Sequence, residues 1–185
     1  MTKAVFLDRD GVLNRKAPEG HYVTRWEEID LLPGAREAVY LLNHAGFLVV
    51  VVTNQRCVAR GLLTSGELEA IHARLLHEFE TSGARLEAVY YCPHDKQPPC
   101  SCRKPQPGML LQAAQTYDVD LSVSWMVGDS DCDVEAGRTA GCHTARVIDD
   151  DRLAATVADL VAPSLLGAAY QILRAEEAVP AARVH

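Results

Sequence analysis

The stretch AVFLDRDGV, residues 4–12, places four apolar residues directly before a charged turn. A second apolar run, LVVVV at 48–52, is strongly β-branched, and both runs predict strands buried on both faces of a parallel sheet. Between them Pro33-Gly34 opens a stretch with apolar residues at helical spacing, and Gly46 follows as a stop signal. Residues 4–52 therefore predict a βαβ unit.

The rest of the chain repeats this alternation. The other predicted elements are a helix from the Thr64–Glu67 capping box to about Thr81, strands at 88–91, 123–127 and 145–148, and helices beginning near Pro107 and Asp131. Together they predict an α/β fold with a doubly wound, mainly parallel sheet. We expect a single domain over 1–185, with a loosely ordered tail from about Glu176.

Composition and charge exclude several classes of protein. The chain has 48% hydrophobic and 23% charged residues, which is typical of globular domains, and its longest apolar run, 47–52, is too short to span a bilayer. A net charge of −7 argues against general affinity for nucleic acids. The N-terminus lacks the pattern of a secretory signal, so we expect a cytoplasmic protein. The sequence leaves the oligomeric state open and is compatible with a monomer.

Polar residues follow three of the predicted strands at the point where each strand ends. Asp8 and Asp10 follow the first strand, Thr53 follows the second, and Asp129 follows the fourth. In a doubly wound sheet these positions converge, and like charges there need a cation. Carboxylate oxygens with open positions suit Mg²⁺, and a carboxylate can also attack phosphorus. The pattern predicts magnesium-dependent phosphoryl transfer, although a single aspartate after a strand is usually a turn residue or helix cap.

A second metal site is predicted in the loop after the third strand. Cys92, His94, Cys100 and Cys102 supply three thiols and one imidazole within a short window, about 92–102. A Cys₃His set is typical of a closed tetrahedral zinc site with a structural role. The alternative is four unligated residues in a surface loop. Zinc would order this proline-containing loop and the residues that follow it directly.

The order of these motifs resembles the haloacid dehalogenase (HAD) superfamily of aspartate-nucleophile phosphatases. The matching positions are Asp8 to Val12, Thr53, Lys104, and Gly128-Asp129 followed by Asp133. The resemblance implies that Asp8 is the nucleophile and that Asp10 is the general acid and base. It also implies that Mg²⁺ binds the side chains of Asp8 and Asp129 and the backbone carbonyl of Asp10, and that the phosphate contacts Thr53, Asn54 and Lys104.

The zinc loop narrows the resemblance to the capless histidinol-phosphatase and heptose-bisphosphate phosphatase group, and most closely to the heptose-1,7-bisphosphate 7-phosphatase family. The matching stretches are Gly20-His21-Tyr22-Val23 in a flap, Thr53-Asn54-Gln55, Ala59-Arg60-Gly61, Tyr91 to His94, and Cys100 to Met109. Two positions depart from that pattern: Arg56-Cys57 stands where a small residue and Gly are common, and Ser130 stands where Lys often follows the aspartate.

This resemblance implies hydrolysis of the 7-phosphate of a heptose 1,7-bisphosphate, a small phosphorylated sugar. There is no room for a cap domain between the first two motifs, so short loops should cover a compact substrate. Arg103, Arg56 and Arg60 are candidates for the remote phosphate because arginine binds phosphate with a planar fork. The runner-up is a histidinol-phosphate phosphatase, and a different class is a catalytically silent zinc-loop interaction module.

Overall fold

The computed structural model of the protein describes residues 2–148 and 156–178, which form a six-stranded sheet with helices on both faces. The strands are β1 (Ala4–Leu7), β2 (Leu48–Asn54), β3 (Ala88–Cys92), β4 (Trp125–Gly128), β5 (His143–Val147) and β6 (Leu160–Ala162). The helices are α1 (Ala35–His44), α2 (Ser65–Glu80), α3 (Gly108–Tyr117), α4 (Asp131–Ala140) and α5 (Leu165–Ala178). Every pair of neighbouring strands is parallel, which confirms the predicted fold class.

The strand order β3-β2-β1-β4-β5-β6 creates a topological switch point beside β1. The chain moves outward from β1 through β2 to β3, and then crosses to β4 on the other side of β1. Leu7 is in register with Val51 of β2 and with Val127 of β4. The three strands therefore end at the same edge of the sheet, where doubly wound proteins bind their ligands.

The core explains why β1 is a continuous apolar run. Val5 and Leu7 pack into a cluster that includes residues of α1, α2 and α5 on one face of the sheet. Ala4 and Phe6 pack into a second cluster with α3 and α4 on the opposite face. All four side chains are 0% exposed, so both pleat directions need apolar residues.

Helices α1 and α2 begin where the sequence predicts. Thr64 Oγ1 accepts a hydrogen bond from the Glu67 N–H at 3.2 Å, and Glu67 Oε2 accepts one from the Thr64 N–H at 2.7 Å, which confirms the capping box of α2. Helix α1 starts directly after Gly34, which has a φ of 77°. None of the described helices combines the length and apolar character that a membrane crossing requires.

The bounds of β4 and β5, the start of the predicted tail and two elements differ from the prediction. Residues 121–123 form a 3₁₀ turn, so β4 starts at Trp125 rather than at 123, and β5 covers 143–147 rather than 145–148. Helix α5 includes residues 176–178, and Glu176 pairs with Lys3 at 3.0 Å, so these residues are helical rather than loosely ordered. The rest of the predicted tail lies outside the described residues. The sequence did not predict β6 or α5.

Candidate active site

A cavity of about 440 Å³ opens at the carboxyl edge of the sheet, over the switch point. It brings together most of the residues that the sequence predicts. The predicted residues that line it are Asp8, Asp10, Gly20, His21, Tyr22, Thr53, Asn54, Gln55, Arg103, Lys104 and Asp129. Residues 16–23 form a loop over the cavity that we call the flap.

Arg56 and Arg60 are not among the residues that line this cavity, and their assignment as candidates for the remote phosphate stays a prediction. Arg56 Nε lies 2.5 Å from Asp95 Oδ1, and Arg60 Nε lies 3.9 Å from Asp95 Oδ2. Asp95 belongs to the loop after β3, so the two arginines connect that loop to the segment after β2. Both arginines thus lie near the Asp95 carboxylate. The sequence alone could not predict this pairing.

Two basic residues of the cavity were missed by sequence reasoning. Lys16 of the flap places Nζ 2.6 Å from Asp129 Oδ2, and Lys96 lines the cavity from the loop after β3. Each lies next to a predicted motif, and that proximity was the available signal. Lys16 precedes the Gly20-His21-Tyr22 stretch, and Lys96 lies inside the Cys/His loop. Single surface lysines have no pattern that distinguishes them from solvated ones.

Lys104 is the charged centre beneath the cavity. It is 3% exposed, and Nζ lies 3.0 Å from Asp8 Oδ1 and 2.6 Å from Asp133 Oδ1. It also donates to the Val52 carbonyl oxygen at 2.7 Å, so three oxygen atoms lie around the ammonium. Burial opposes the charge, but Asp133 and Asp8 hold the pKa of Lys104 above its ordinary value. This ammonium neutralises buried carboxylates in addition to facing the predicted phosphate position.

Asp8 lies in an environment that disfavours its charge when no cation is present. Burial raises the pKa of Asp8 to about 7, even though Lys104 acts in the opposite direction. Repulsion from Asp133 and Asp10 contributes further to this rise. A cation at this position would offset both the burial and the repulsion.

The carboxylates at the switch point fit a magnesium ion. Asp8, Asp129 and Asp133 offer oxygen atoms that all lie within 4.8 Å of one another. Asp129 Oδ1 is buried and has no hydrogen-bond partner in the described parts of the chain, as expected for an atom that ligates a metal. Hard oxygen ligands with space for water and phosphate suit Mg²⁺. Asp10 does not join through its side chain, and a contribution from its backbone carbonyl stays a prediction.

Gly11 makes the close approach of Asp129 possible. Its φ of +89° lies in the left-handed region, and a Cβ atom there would lie 2.5 Å from Asp129 Oδ2. Any other residue would push apart the turn after β1 and the turn after β4. The absence of a side chain at Gly11 therefore lets the Asp129 carboxylate lie against the turn after β1.

The Asp10 carboxylate is held by a set of donors beside the cavity. Arg9 donates to it through Nε at 3.1 Å and through Nη2 at 3.0 Å, Asn14 Nδ2 donates at 3.0 Å, and Gln55 Nε2 donates at 2.9 Å. Burial alone would raise the pKa of Asp10, but the Arg9 charge and these hydrogen bonds hold it below its ordinary value. A phosphate dianion bound next to this group would raise that pKa by repulsion.

The side chains at the end of β2 and directly after it make hydrogen bonds within the site. Asn54 Nδ2 donates to the Lys104 carbonyl oxygen and Asn54 Oδ1 accepts from the Lys104 N–H, both at 3.1 Å. Gln55 Nε2 donates to Thr53 Oγ1 at 2.9 Å as well as to Asp10. The Asn54 amide, predicted to hold phosphate, is thus occupied with the backbone of Lys104.

His72 adds a buried titratable group behind Asp10. It is 4% exposed, Arg9 Nη1 lies 3.1 Å from its Nε2, and the Tyr91 ring packs beside it with centroids 5.6 Å apart. Burial and the neighbouring Arg9 charge lower the pKa of His72 to about 3, although Asp10 acts in the opposite direction. Because Arg9 can only donate, His72 Nε2 is the acceptor and the ring is neutral.

Because His72 is buried in its neutral form, we expect the free energy of unfolding to decrease in acid. The pKa of the His72 imidazole is 6.5 in the unfolded chain and about 3 in the folded protein. The unfolded state therefore binds more protons below pH 6.5, and the free energy of unfolding falls as the pH falls below that value. Between pH 7.5 and pH 5 the parent should lose about 2 kcal/mol of unfolding free energy more than His72→Gln does. Denaturant unfolding at both pH values measures this. Equal losses in parent and variant would contradict the prediction.

The Cys/His loop forms a compact cluster of possible metal ligands. Cys92, His94, Cys100 and Cys102 offer atoms within 4.8 Å of one another. The Cys92–Cys100, Cys102–Cys100 and Cys102–Cys92 Sγ separations are 3.6, 3.5 and 3.2 Å. A tetrahedral zinc site with sulfur ligands has edges of about 3.8 Å, so this arrangement is close to the one that zinc requires.

The electrostatics of the cluster also favour a cation. Burial raises the pKa of Cys92 to about 12, and the Cys102 and Cys100 thiols add to the effect. Burial acts the same way on Cys100, but a hydrogen bond from the Arg103 backbone and contacts with the other ligands lower its pKa to about 7. Three neighbouring thiols ionise together only with a metal among them. All six cysteines of the chain are free, so none is committed to a disulfide.

The class of protein follows from the comparison with known families. A HAD-hydrolase-like family model matches residues 101–168, which contain Lys104, Asp129 and Asp133. A crystal structure of the D,D-heptose 1,7-bisphosphate phosphatase from B. bronchiseptica, complexed with magnesium and phosphate, superposes with a TM-score of 0.82 and 35% identity. The superposition covers 94% of this chain and 99% of that one. The protein is thus a HAD-like hydrolase.

Sequence relatives define the family more narrowly. The D-glycero-β-D-manno-heptose-1,7-bisphosphate 7-phosphatase of Rhodopseudomonas palustris is 41% identical, covering 80% of this chain and 84% of that protein. The enzyme of the same name from Pseudomonas aeruginosa is 43% identical over 77% of this chain and 79% of its own length. A relative from Burkholderia mallei is named D-glycero-α-D-manno-heptose-1,7-bisphosphate 7-phosphatase, after the other anomer. It is 37% identical, and the match covers 80% of each protein. The chain belongs to the D-glycero-D-manno-heptose-1,7-bisphosphate 7-phosphatase family.

Proposed function

We propose that this protein is a magnesium-dependent phosphatase that removes the 7-phosphate of a D-glycero-D-manno-heptose 1,7-bisphosphate through an aspartyl-phosphate on Asp8. The observation that carries the chemistry is the position of Asp8, at a strand end 3.0 Å from a buried lysine and within the carboxylate cluster. Family membership supports the substrate. The family's relatives include both anomers, so the proposal leaves the configuration at C1 open.

In the first step the Asp8 carboxylate attacks the phosphorus of the 7-phosphate, and the bond to the C7 oxygen breaks. Asp10 donates a proton to that leaving oxygen. Lys104 remains beside Asp8 and offsets charge on the transferring group, while Asn54 keeps the Lys104 backbone in place. A magnesium ion held by Asp8 and Asp129 would neutralise charge on the phosphate oxygens.

In the second step water attacks the phosphorus of the aspartyl-phosphate. Asp10, now a carboxylate, takes a proton from that water, and inorganic phosphate leaves as the Asp8 carboxylate is restored. The hydrogen bonds from Arg9, Asn14 and Gln55 suit this second role because they stabilise the ionised form of Asp10. The same side chain thus serves as acid and then as base.

Arg103 is the proposed contact for the phosphate that is not hydrolysed. It lines the cavity, and Nη1 donates to the His94 carbonyl oxygen at 3.1 Å, which leaves donors of its fork available. Lys96 and His21 also line the cavity, and they add a positive group and a polar group to it. A second phosphate is therefore better matched than the cationic side chain of histidinol phosphate.

A substrate panel tests the proposed function. We expect kcat/KM for either anomer of heptose 1,7-bisphosphate to exceed that for heptose 7-phosphate and for histidinol phosphate by about tenfold or more, since a charge-assisted contact contributes about 1.5–3 kcal/mol. The panel is assayed by phosphate release with and without added magnesium. A preference for histidinol phosphate would overturn the substrate proposal, and full activity after chelation would overturn the metal requirement.

We also propose a structural zinc ion on Cys92, His94, Cys100 and Cys102. The cluster geometry supports it, and four protein ligands leave no open position for catalysis. Arg103 and Lys104 directly follow Cys102, and Arg103 also donates to the backbone carbonyl of His94. Zinc would thus hold two phosphate-facing residues in position.

The zinc proposal predicts that Cys100→Ser loses the metal and part of the activity. Releasing the loop should lower kcat/KM by about 10–100-fold, as is typical when the support of a site is removed, while the sheet stays folded. Metal analysis, circular dichroism and steady-state kinetics measure the three effects. Cys142→Ser is the matched control, because this buried thiol lies outside the cluster and its loss should leave zinc unchanged. A zinc-free parent protein would remove the proposal.

The remaining proposals concern the setting of the enzyme. We propose that the chain works in the cytoplasm as one phosphatase domain on a small phosphorylated sugar, without nucleic acid or membrane partners. The single sheet across the described residues and the net charge of −7 support this organisation.

A further inference from the structure

Arg9 is a fully buried arginine directly between the two aspartates of the first motif. It is 0% exposed and is the largest wholly buried side chain in the described residues. A buried guanidinium needs acceptors for its donors, because an unpaired buried charge is strongly destabilising. Arg9 uses Nε and Nη2 on Asp10, and Nη2 also donates to Gln55 Oε1 at 3.2 Å.

The remaining end of the guanidinium is held from outside the active site. Arg9 Nη1 lies 3.1 Å from His72 Nε2, on helix α2, and His72 does not line the cavity. Since the guanidinium is planar and rigid, an acceptor at Nη1 sets the direction in which Nε and Nη2 point. Those two atoms hold the Asp10 carboxylate.

We propose that His72 is a positioning residue for the proton transfers of this enzyme: by accepting from Arg9 Nη1, it fixes the guanidinium that orients the Asp10 carboxylate. The inference rests on the proposed role of Asp10 as acid and base. A purely structural histidine would fill space and satisfy Arg9 without affecting where Asp10 points. The two roles differ in their kinetic consequences, because Asp10 matters most for poor leaving groups.

The test compares His72→Leu with the parent on a series of aryl phosphates from p-nitrophenyl to phenyl phosphate. A displacement of about 1 Å in a catalytic group can cost about 10²-fold in rate. We therefore expect kcat/KM for phenyl phosphate to fall about tenfold or more, and that for p-nitrophenyl phosphate to fall less than about threefold. His72→Gln, which can present an acceptor to Arg9, should restore the parent ratio of the two substrates.

Stability effects are separated by a matched core variant. Leu75→Ala removes a 0% exposed side chain from the same helix without touching the Arg9 contacts, so it should destabilise the protein while keeping the parent ratio. If His72→Leu does not fold, His72→Asn replaces it, because its shorter amide cannot reach Arg9 but leaves room for water. That variant should shift the ratio in the same direction.

Each outcome decides one proposal. Equal losses on both aryl phosphates in the folded His72→Leu or His72→Asn variant, a changed ratio in Leu75→Ala, or a failure of His72→Gln to restore it would overturn the positioning role. The aryl series does not depend on the natural substrate. A parent enzyme that hydrolyses aryl phosphates but no heptose bisphosphate would overturn only the substrate proposal, and a parent inactive on all of them would overturn the proposed function.

Discussion

Asp8→Asn is expected to reduce phosphate release by at least about 10⁴-fold, which is the scale on which removal of a nucleophile acts. The amide is nearly isosteric with the carboxylate, but it cannot attack phosphorus and is a much weaker metal ligand. The measurement is kcat for a heptose bisphosphate. Asp131→Asn is the matched control, because Asp131 begins α4 near the same edge of the sheet and lies outside the active-site cavity. Substantial activity in Asp8→Asn beside a fully active control would defeat the mechanism.

The same variant has a stability signature that separates loss of chemistry from misfolding. In the parent, the pKa of the Asp8 carboxyl group is 3.8 in the unfolded chain and about 7 in the folded protein. The folded state therefore binds more protons than the unfolded state between these two pH values. Stability is therefore lost as pH rises through this window in the absence of metal. At pH 8 without magnesium, Asp8→Asn should unfold at a higher temperature than the parent, and added magnesium should narrow the difference by stabilising the parent. A lower unfolding temperature under those conditions would contradict the electrostatic picture.

Lys104→Met is expected to damage both stability and activity. Removing the ammonium leaves Asp8 and Asp133 buried without a countercharge, which costs about 3–5 kcal/mol. Protonation of Asp8 would relieve that repulsion but would remove the attacking charge, so kcat should fall by at least about 10²–10³-fold. Denaturant unfolding and phosphate release measure the two effects.

Lys16→Met provides the comparison for stability. Lys16 also pairs with a site carboxylate, Asp129, but its side chain is 59% exposed, so its removal should cost less than about 1 kcal/mol. Equal destabilisation by the two substitutions would show that the burial of Lys104 does not give its ion pairs their strength. A Lys104→Met protein as active as the parent would exclude a role in phosphoryl transfer.

The aspartates at the strand ends could be predicted because their positions depend on a local rule. Once the run 4–7 is a buried strand, Asp8 must emerge at its end, and the same argument applies to Asp129 after β4. Helix α2 was equally accessible, since its capping box is contained within four residues. The first residue of β4 was missed although its signal is also local: Asp120 caps the turn at 121–123, and its carboxylate accepts from the Ser122 N–H at 3.0 Å.

The contacts of three arginines could not be predicted from their neighbours in the sequence. The sequence presents Arg56, Arg60 and Arg103 as equivalent candidates for phosphate, and only Arg103 lines the cavity. The other two approach Asp95, a residue more than thirty positions away, and the strength of that pairing depends on how the loops fold together. A long flexible side chain has no preferred direction that its neighbours in sequence determine.

By itself the sequence determined the fold class, the switch point with its aspartates, and the Cys/His set, because strand burial, strand-end position and ligand spacing all act over a few residues. Tertiary structure alone decided that Asn54 supports the Lys104 backbone, that Arg56 pairs outside the cavity, and that His72 reaches Arg9. These contacts join elements distant along the chain. Their partners are chosen by burial and by the need of each buried polar group for a counterpart, which arises only when the sheet and helices have packed.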